Sequence, residues 1–333
     1  MSRAAVLAGL GAVVPPREIT NQMLSERLDT TDAWIRTRTG ILKRHAVEPG
    51  GATSDLAVAA GEKALKSAGL ATVDLVVLAT ATPDHPLPGT APAVAARLGL
   101  GHIPAFDVAA VCAGFVYALS VGAGAIAART AETVLVIGAE AFTSILNPQD
   151  RGTAILFGDG AGAVVLRADE DDEPGALAGF DLGSDGSLAE LISIPGGGSR
   201  QRSGGLPPDQ DDSWFTMQGR EVFTQAVTHM SRSTKAVLEK VGWPVATVDR
   251  IVGHQANVRI LHSVSELLGI DKERAVVHLD QVGNTSAASI PLALAAAAER
   301  GELLAGHRVA LTAFGGGLAW GSAALVWPEL ATG

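Results

Sequence analysis

A single cysteine, Cys112, in 333 residues excludes an intrachain disulfide and a cysteine-based zinc site and points to a reducing compartment, the cytoplasm. No block of five or more Lys/Arg residues occurs, and the net charge of −10 opposes a phosphate backbone. Nucleic acid is therefore not expected as a partner. Aromatic residues are only 4% and charged residues 18% of the chain, against 47% hydrophobic residues and 39 Gly. The interior must then be built from small aliphatic side chains and close backbone contacts, which suits a layered α/β protein. Two uncharged runs imitate targeting signals. Residues 4–14 read as a first buried strand, because Gly9, Gly11, Pro15 and Pro16 do not fit a signal peptide. Residues 108–128 are long enough to cross a bilayer, but they are mostly Ala and Gly and include Tyr117 and Ser120. They read as a strand end, a turn and a buried helix, so no membrane is expected.

What is present is an internal repeat. Thr72-Val73-Asp74 and Thr247-Val248-Asp249 lie 175 residues apart, each after a helix ending at glycine and before a β-branched run that makes a strand. Ala105-Phe106-Asp107-Val108 leads towards the helix after Cys112, as His278-Leu279-Asp280 leads towards a helix after Asn284, expected over residues 292–298. The strand at residues 133–138 is matched at residues 308–313. A duplication of this kind predicts two similar α/β halves about a pseudo-two-fold, here 1–172 and 173–333, with the acidic run at residues 169–175 as the solvated linker. Residues 195–213, with five Gly and three Pro, read as a mobile loop.

Three residues are candidates for chemistry. Cys112 sits where an apolar strand turns into an Ala/Gly-rich helix, and a helix N-terminus stabilises a thiolate and lowers its pKa. His254 ends the strand that follows Asp249, where α/β proteins place their sites. Asn284 precedes an apolar helix. Each also has an ordinary role, as an apolar core thiol, a hydrogen-bonded structural imidazole and a helix cap. The repeat favours the chemical roles, because a pseudo-two-fold would bring the two helix starts to one central place, beside the strand end that carries His254. The Phe314-Gly315-Gly316-Gly317 turn between two strands is either a tight hairpin or a close backbone approach to a ligand.

The segments around Cys112 (residues 105–115), His254-Gln255-Ala256-Asn257, Gly283-Asn284-Thr285-Ser286-Ala287-Ala288-Ser289 and Phe314-Gly315-Gly316-Gly317 resemble β-ketoacyl-acyl-carrier-protein synthase III, a condensing enzyme of the thiolase fold. Four motifs in the family's order, spread over nearly the whole chain, make the likeness specific. It implies a thiolase-like fold with duplicated αβαβα halves and a two-stage Claisen condensation. Cys112 would take the acyl group of an acyl-CoA primer, with the N–H groups of Cys112 and Gly316 forming the oxyanion hole. His254 and Asn284 would then stabilise the enolate left when malonyl-acyl-carrier protein loses CO₂. The likeness also implies CoA contacts from Trp34, Arg38, Arg151, Gly219, Phe223, Asn257 and Arg259, an acyl pocket touched by Leu87 of a second subunit, and a homodimer. Acyl-CoA is then a substrate, and neither a cofactor nor a metal is implied.

Three positions depart from the family's pattern. Leu87 stands where some members have a bulky Phe, which implies room for a branched or longer primer. Arg220 replaces an Asn near the pantetheine, and Glu266-Leu267 replaces a Lys pair associated with the acidic carrier protein, leaving Arg259 and Arg220 to form any basic patch. Other readings of the same residues are a thiolase-fold acyltransferase using an alcohol or amine acceptor and a non-catalytic subunit of that fold. A papain-like hydrolase uses Cys, His and Asn in the same order, but its signature around the nucleophile is missing. A biosynthetic thiolase needs a second cysteine.

Overall fold

The structure, a computed structural model, describes residues 3–170, 173–205, 207, 209 and 211–330. β-Branched and Leu-rich runs form nine strands of two sheets. The first sheet contains β1 (Arg3–Val13), β2 (Leu75–Ala79), β3 (Ala105–Val108), β4 (Thr133–Glu140) and β5 (Gly160–Glu170) in the order β1-β5-β4-β2-β3. The second contains β6 (Leu177–Ser184), β7 (Arg250–Gly253), β8 (Arg308–Gly315) and β9 (Ala319–Val326) in the order β6-β9-β8-β7. In each sheet two antiparallel pairings are followed by a parallel one, so the strand orders correspond and the repeat in the sequence is a repeat of topology.

Among the described residues the second sheet lacks a counterpart of β3. Only a parallel bridge between Ile251 and Ala275 occupies that place among the described residues, and where His278-Leu279-Asp280 matches the β3 run in sequence the chain forms a short helix, Leu279–Val282. The reason lies in a fully buried amide. Gln255 Nε2 donates to the carbonyls of Gly253 and Val276, while its Oε1 accepts from the N–H groups of His278 and Leu279. One side chain thus satisfies backbone groups that a neighbouring strand would otherwise have to pair.

The main helices are α1 (Asp32–Thr39), α2 (Thr53–Ala68), α3 (Gly114–Ala127), α4 (Gly219–Lys240), α5 (Val258–Leu268) and α6 (Ser289–Glu299). Apolar residues of α3 and α6 form one core with both sheets, including Phe115, Leu119, Ile290 and Leu294 packed with Val136, Val164, Val252 and Leu311. Helix α2 covers the outer face of the first sheet, and α4 and α5 cover that of the second. The layers are therefore αβαβα, the thiolase arrangement, with α3 and α6 in the middle. The uncharged run of residues 108–128 ends in α3, and no helix among the described residues is long and apolar enough to cross a membrane.

Several local expectations change. Helix α6 begins at Ser289, three residues before the sequence pattern places it, and holds Pro291 in its first turn, where a missing N–H costs nothing. Trp34 and Arg38 lie on α1, which is followed by a short strand, Lys43–Ala46; the Thr31 hydroxyl caps α1 by accepting from Trp34 N–H. The stretch 195–213 carries a short helix, Ser199–Ser203, and residues 192–193 and 216–217 pair across its base. Leu206, Pro208 and Gln210 of that stretch lie outside the described residues, as do Asp171 and Asp172 at the expected boundary between halves.

Glycine sets how closely the layers approach. A Cβ at Gly9 or Gly11 would come within 2.4 or 2.3 Å of carbonyl oxygens of α2, and one at Gly138 within 2.3 Å of the Ala287 carbonyl. The last contact presses a strand of the first half against a turn of the second. Gly138→Ala is therefore expected to lower stability by about 3 kcal/mol, since backbone must move to admit one methyl group; urea unfolding measures it, and an unchanged midpoint would contradict this packing.

Candidate active site

Cys112 lies in the turn Val111–Ala113 that leads into α3, and Ser286–Ala288 forms the matching turn before α6. The two turns keep the 175-residue offset: Val111 and Ser286 correspond, and both hold a positive φ, 45° and 48°. These left-handed residues, costly for a β-branched side chain above all, bend the chain sharply from the sheet into the central helices. The turns sit at the C-terminal ends of their sheets.

His254 follows β7, and its N–H bonds the Thr312 carbonyl at 2.8 Å, continuing the strand ladder by one residue. Asn284 is held through its backbone: its N–H bonds Leu156 O at 2.8 Å, and its carbonyl accepts from Gly158 at 3.0 Å. Cys112, His254 and Asn284 come together in one narrow cavity of about 40 Å³, also lined by Phe157, Phe215, Met217, Ile260, Phe314 and Gly315. The three are nearly buried, at 8%, 4% and 4% exposure. A larger groove of about 690 Å³ lies elsewhere, lined by Leu10, Lys63, Leu304 and Trp327, and contains neither nucleophile nor imidazole. The chemistry, and not the size of the opening, marks the smaller cavity.

Orientation comes from neighbouring side chains. His254 Nδ1 is 2.7 Å from Ser289 Oγ, and Asn284 Oδ1 accepts from the Ser286 N–H at 2.9 Å. The latter bond assigns the amide, leaving Nδ2 as the end without a hydrogen bond among the described residues. With the Ser289 hydroxyl donating to Nδ1, the ring proton sits on Nε2, which is then a donor. Burial pushes the imidazole down to about 3, so it is neutral at physiological pH without a carboxylate beside it.

The thiol departs from the sequence expectation. Burial pushes Cys112 up from 9.0 to about 12, with the Ser286 hydroxyl acting in the other direction. That rise corresponds to about 4 kcal/mol, whereas a helix N-terminus contributes roughly 0.3–1 and at most about 2 kcal/mol. Desolvation therefore outweighs the helix, and the resting side chain is a thiol. Gly315 is the turn glycine that touches it: an added Cβ would lie 2.7 Å from the Cys112 nitrogen, while one at Gly316 would meet Ile192.

Of the remaining sequence candidates, Trp34, Arg38, Arg151 and Asn257 form a cluster on the outer surface. Trp34 is 38% exposed, with the guanidinium groups of Arg151 and Arg38 at 5.1 and 5.7 Å from its ring centre. Asn257 ties this group to the next helix, donating to the Arg38 carbonyl and capping α5 at Arg259. The Arg259 guanidinium lies over Phe223, and Val222 and Ile260, the neighbours of these two residues, line the cavity. Gly219 opens α4, with nothing closer than Met217 Cε at 4.0 Å from an added Cβ. Leu87 is 85% exposed and does not line the cavity of its own chain, and Leu267 is 53% exposed on α5. Sequence reasoning missed Ser289, Gly315 and Glu140. The first two stand inside motifs already singled out. Glu140 carried one signal, an acid ending a strand of otherwise apolar residues.

The sequence pattern of the family described as 3-oxoacyl-[acyl-carrier-protein (ACP)] synthase III matches residues 106–186, and that of its C-terminal part matches residues 238–327. The chain is 59% identical over 330 residues to β-ketoacyl-[acyl-carrier-protein] synthase III 5 of Streptomyces coelicolor, covering 99% of both chains. It superposes on the crystal structure of 3-oxoacyl-(acyl carrier protein) synthase III from Pseudomonas aeruginosa with a TM-score of 0.93 and 48% identity, covering 99% of this chain and 100% of that one. The priming β-ketosynthase of a polyketide biosynthetic pathway is similar at a TM-score of 0.91 and 33% identity, over 98% and 97% of the two chains. With its two-sheet fold, its shared Cys-His-Asn cavity and relatives of this identity over their full length, the chain belongs to the 3-oxoacyl-[acyl-carrier-protein] synthase III family.

Proposed function

We propose that this protein is a condensing acyltransferase that loads an acyl group from acyl-CoA onto Cys112 and joins it to malonyl-acyl-carrier protein with loss of CO₂. The single observation that carries this reading is the cavity in which a lone thiol at a helix start faces a neutral imidazole and a carboxamide. In the first stage the Cys112 sulfur attacks the thioester carbonyl, and backbone N–H groups of the Cys112 turn and the glycine-rich turn at Gly315-Gly316 receive the oxyanion. CoA leaves and the acyl group remains on sulfur. In the second stage His254 Nε2–H and Asn284 Nδ2–H donate to the malonyl thioester oxygen, stabilising the enolate as the C–CO₂ bond breaks. The carbanion attacks the acyl-cysteine carbonyl, and the Cys112 sulfur departs. Two neutral donors suit this step, because a cation would bind the carboxylated ground state as well as the enolate.

In this reading Trp34, Arg38 and Arg151 bind the CoA nucleotide by ring stacking and charge, and Asn257, Arg259, Phe223 and Gly219 flank the pantetheine arm. Arg259 and Arg220 receive the acidic carrier protein, and two chains form a dimer in which Leu87 reaches the partner's acyl pocket. Acyl-CoA serves as a substrate and no cofactor takes part.

Mass spectrometry after mixing with acyl-CoA is expected to show one acyl adduct, confined to Cys112 and discharged by malonyl-carrier protein. A hydrolase would show no lasting adduct, and a purely binding subunit none. His254→Ala is expected to keep the adduct while slowing decarboxylation on the order of 10²–10³-fold, with Ser289→Ala giving a smaller loss of the same step. Full decarboxylation by the alanine variant would remove the donor role. For the primer, isobutyryl-CoA is expected to acylate Cys112 at least as fast as acetyl-CoA, and a strict acetyl preference would remove the role given to Leu87.

A further inference from the structure

Glu140 has no part in the chemistry above, yet it is fully buried at the end of β4. Its carboxylate accepts from the Ala81 N–H at 3.1 Å, from Thr82 Oγ1 at 2.8 Å and Thr80 Oγ1 at 3.3 Å, and from the Ala287 N–H at 3.4 Å. By the 175-residue offset, Ala287 corresponds to Cys112 and Glu140 to Gly315. Where the first half leaves the N–H of the nucleophile's turn beside a glycine, the second half fills the equivalent position with a carboxylate. Ser286, the residue before Ala287 in the same turn, carries a hydroxyl that lowers the pKa of both the Cys112 thiol and the Glu140 carboxylate. Its Oγ is buried with no hydrogen-bond partner among the described residues.

We propose that Glu140, acting through the Ser286 hydroxyl, accepts the Cys112 proton and so serves as the positioning residue that sets the charge on the nucleophile. The proposal rests on the reading of Cys112 as the acyl acceptor. In the step, the Cys112 S–H bond breaks and its proton passes to Ser286 Oγ as the Ser286 hydroxyl proton passes to Glu140. Ser286 is unchanged, Glu140 becomes neutral and sulfur carries the negative charge. When the acyl group has moved to Cys112, the proton returns from Glu140 through Ser286 to the departing CoA sulfur, so thiol and thioester exchange with no net change in charge.

The alternative acceptor in the cavity is His254. Burial pushes it to about 3, while it raises Glu140 only to about 7, hydrogen bonds from Thr82, Ala81, Ser286 and Ala287 opposing the rise. Glu140 is therefore the stronger base of the two. Glu140 acts electrostatically on the Cys112 thiol. The elements packed around Glu140 present neutral groups: Thr80 and Thr82 after β2, Ser286 and Ala287 before α6, and Thr53 of α2, bonded to Thr82. The charged Asp55 of α2 pairs with Arg97 at the surface.

The test is the rate of Cys112 alkylation by iodoacetamide between pH 6 and 9, read by mass spectrometry. In the unaltered protein the rate is expected to rise to about pH 7, as Glu140 ionises and can accept the proton, and to rise by clearly less than tenfold per unit above it. Glu140→Gln should remove that break, leaving a tenfold rise per pH unit throughout. Ser286→Gly should do the same with the carboxylate retained; its positive φ suits glycine, and the backbone N–H that orients Asn284 remains. This second variant decides the matter if the first fails to fold. A tenfold rise per unit in the unaltered protein, or a break near pH 7 surviving in either variant, would overturn the proton path. Alkylation needs no acyl-CoA, so a protein that shows the break but takes no acyl group refutes the proposed function and leaves the proton path standing.

Discussion

Everything at the site depends on the close apposition of two turns, one from each half, at the ends of two helices that run through the middle of the molecule. Gly138 lies against Ala287 and Gly315 against Cys112. Each half thus pushes a bare backbone segment onto the other's helix start, an approach no side chain could permit. This contact nearly buries the thiol and places residues of both halves around one small space.

The same burial acts on three ionisable groups with different consequences. It removes the charge of His254, which makes the imidazole a neutral donor. It holds the thiol in its protonated form, against the pull of the helix start. It raises Glu140 into the physiological range without neutralising it outright, because two backbone N–H groups and the threonine hydroxyls support the charged form. A dry site favours the stabilisation of a developing enolate or oxyanion, since dipoles aimed at it are not diluted by solvent, but it also makes proton release from the nucleophile the demanding part of the chemistry.

The duplicated architecture explains why such a site arises between halves. Matching strand orders set both central helices against their sheets, and matching left-handed residues, Val111 and Ser286, turn the chain into them. Divergence lies in what each turn carries. One holds a thiol beside glycine, and the other an alanine beside a carboxylate. The second half also replaces a strand with the buried amide of Gln255, a change that leaves the central layer undisturbed.

The strands, the central helices and the repeat were legible in the chain because they rest on local periodicity and on a fixed offset. The motifs carried Cys112, His254 and Asn284, since special backbone positions require particular residues in sequence. The short helix at residues 279–282 was not legible, because a distant amide satisfies its backbone, and nothing near Gln255 in sequence announces that pairing. Ser289, Gly315 and Glu140 likewise acquire their roles through contacts between segments 35 to 203 residues apart. The sign of the thiol's pKa change belongs to tertiary structure alone: the helix start is a local feature, whereas desolvation comes from the opposite half of the molecule closing over it.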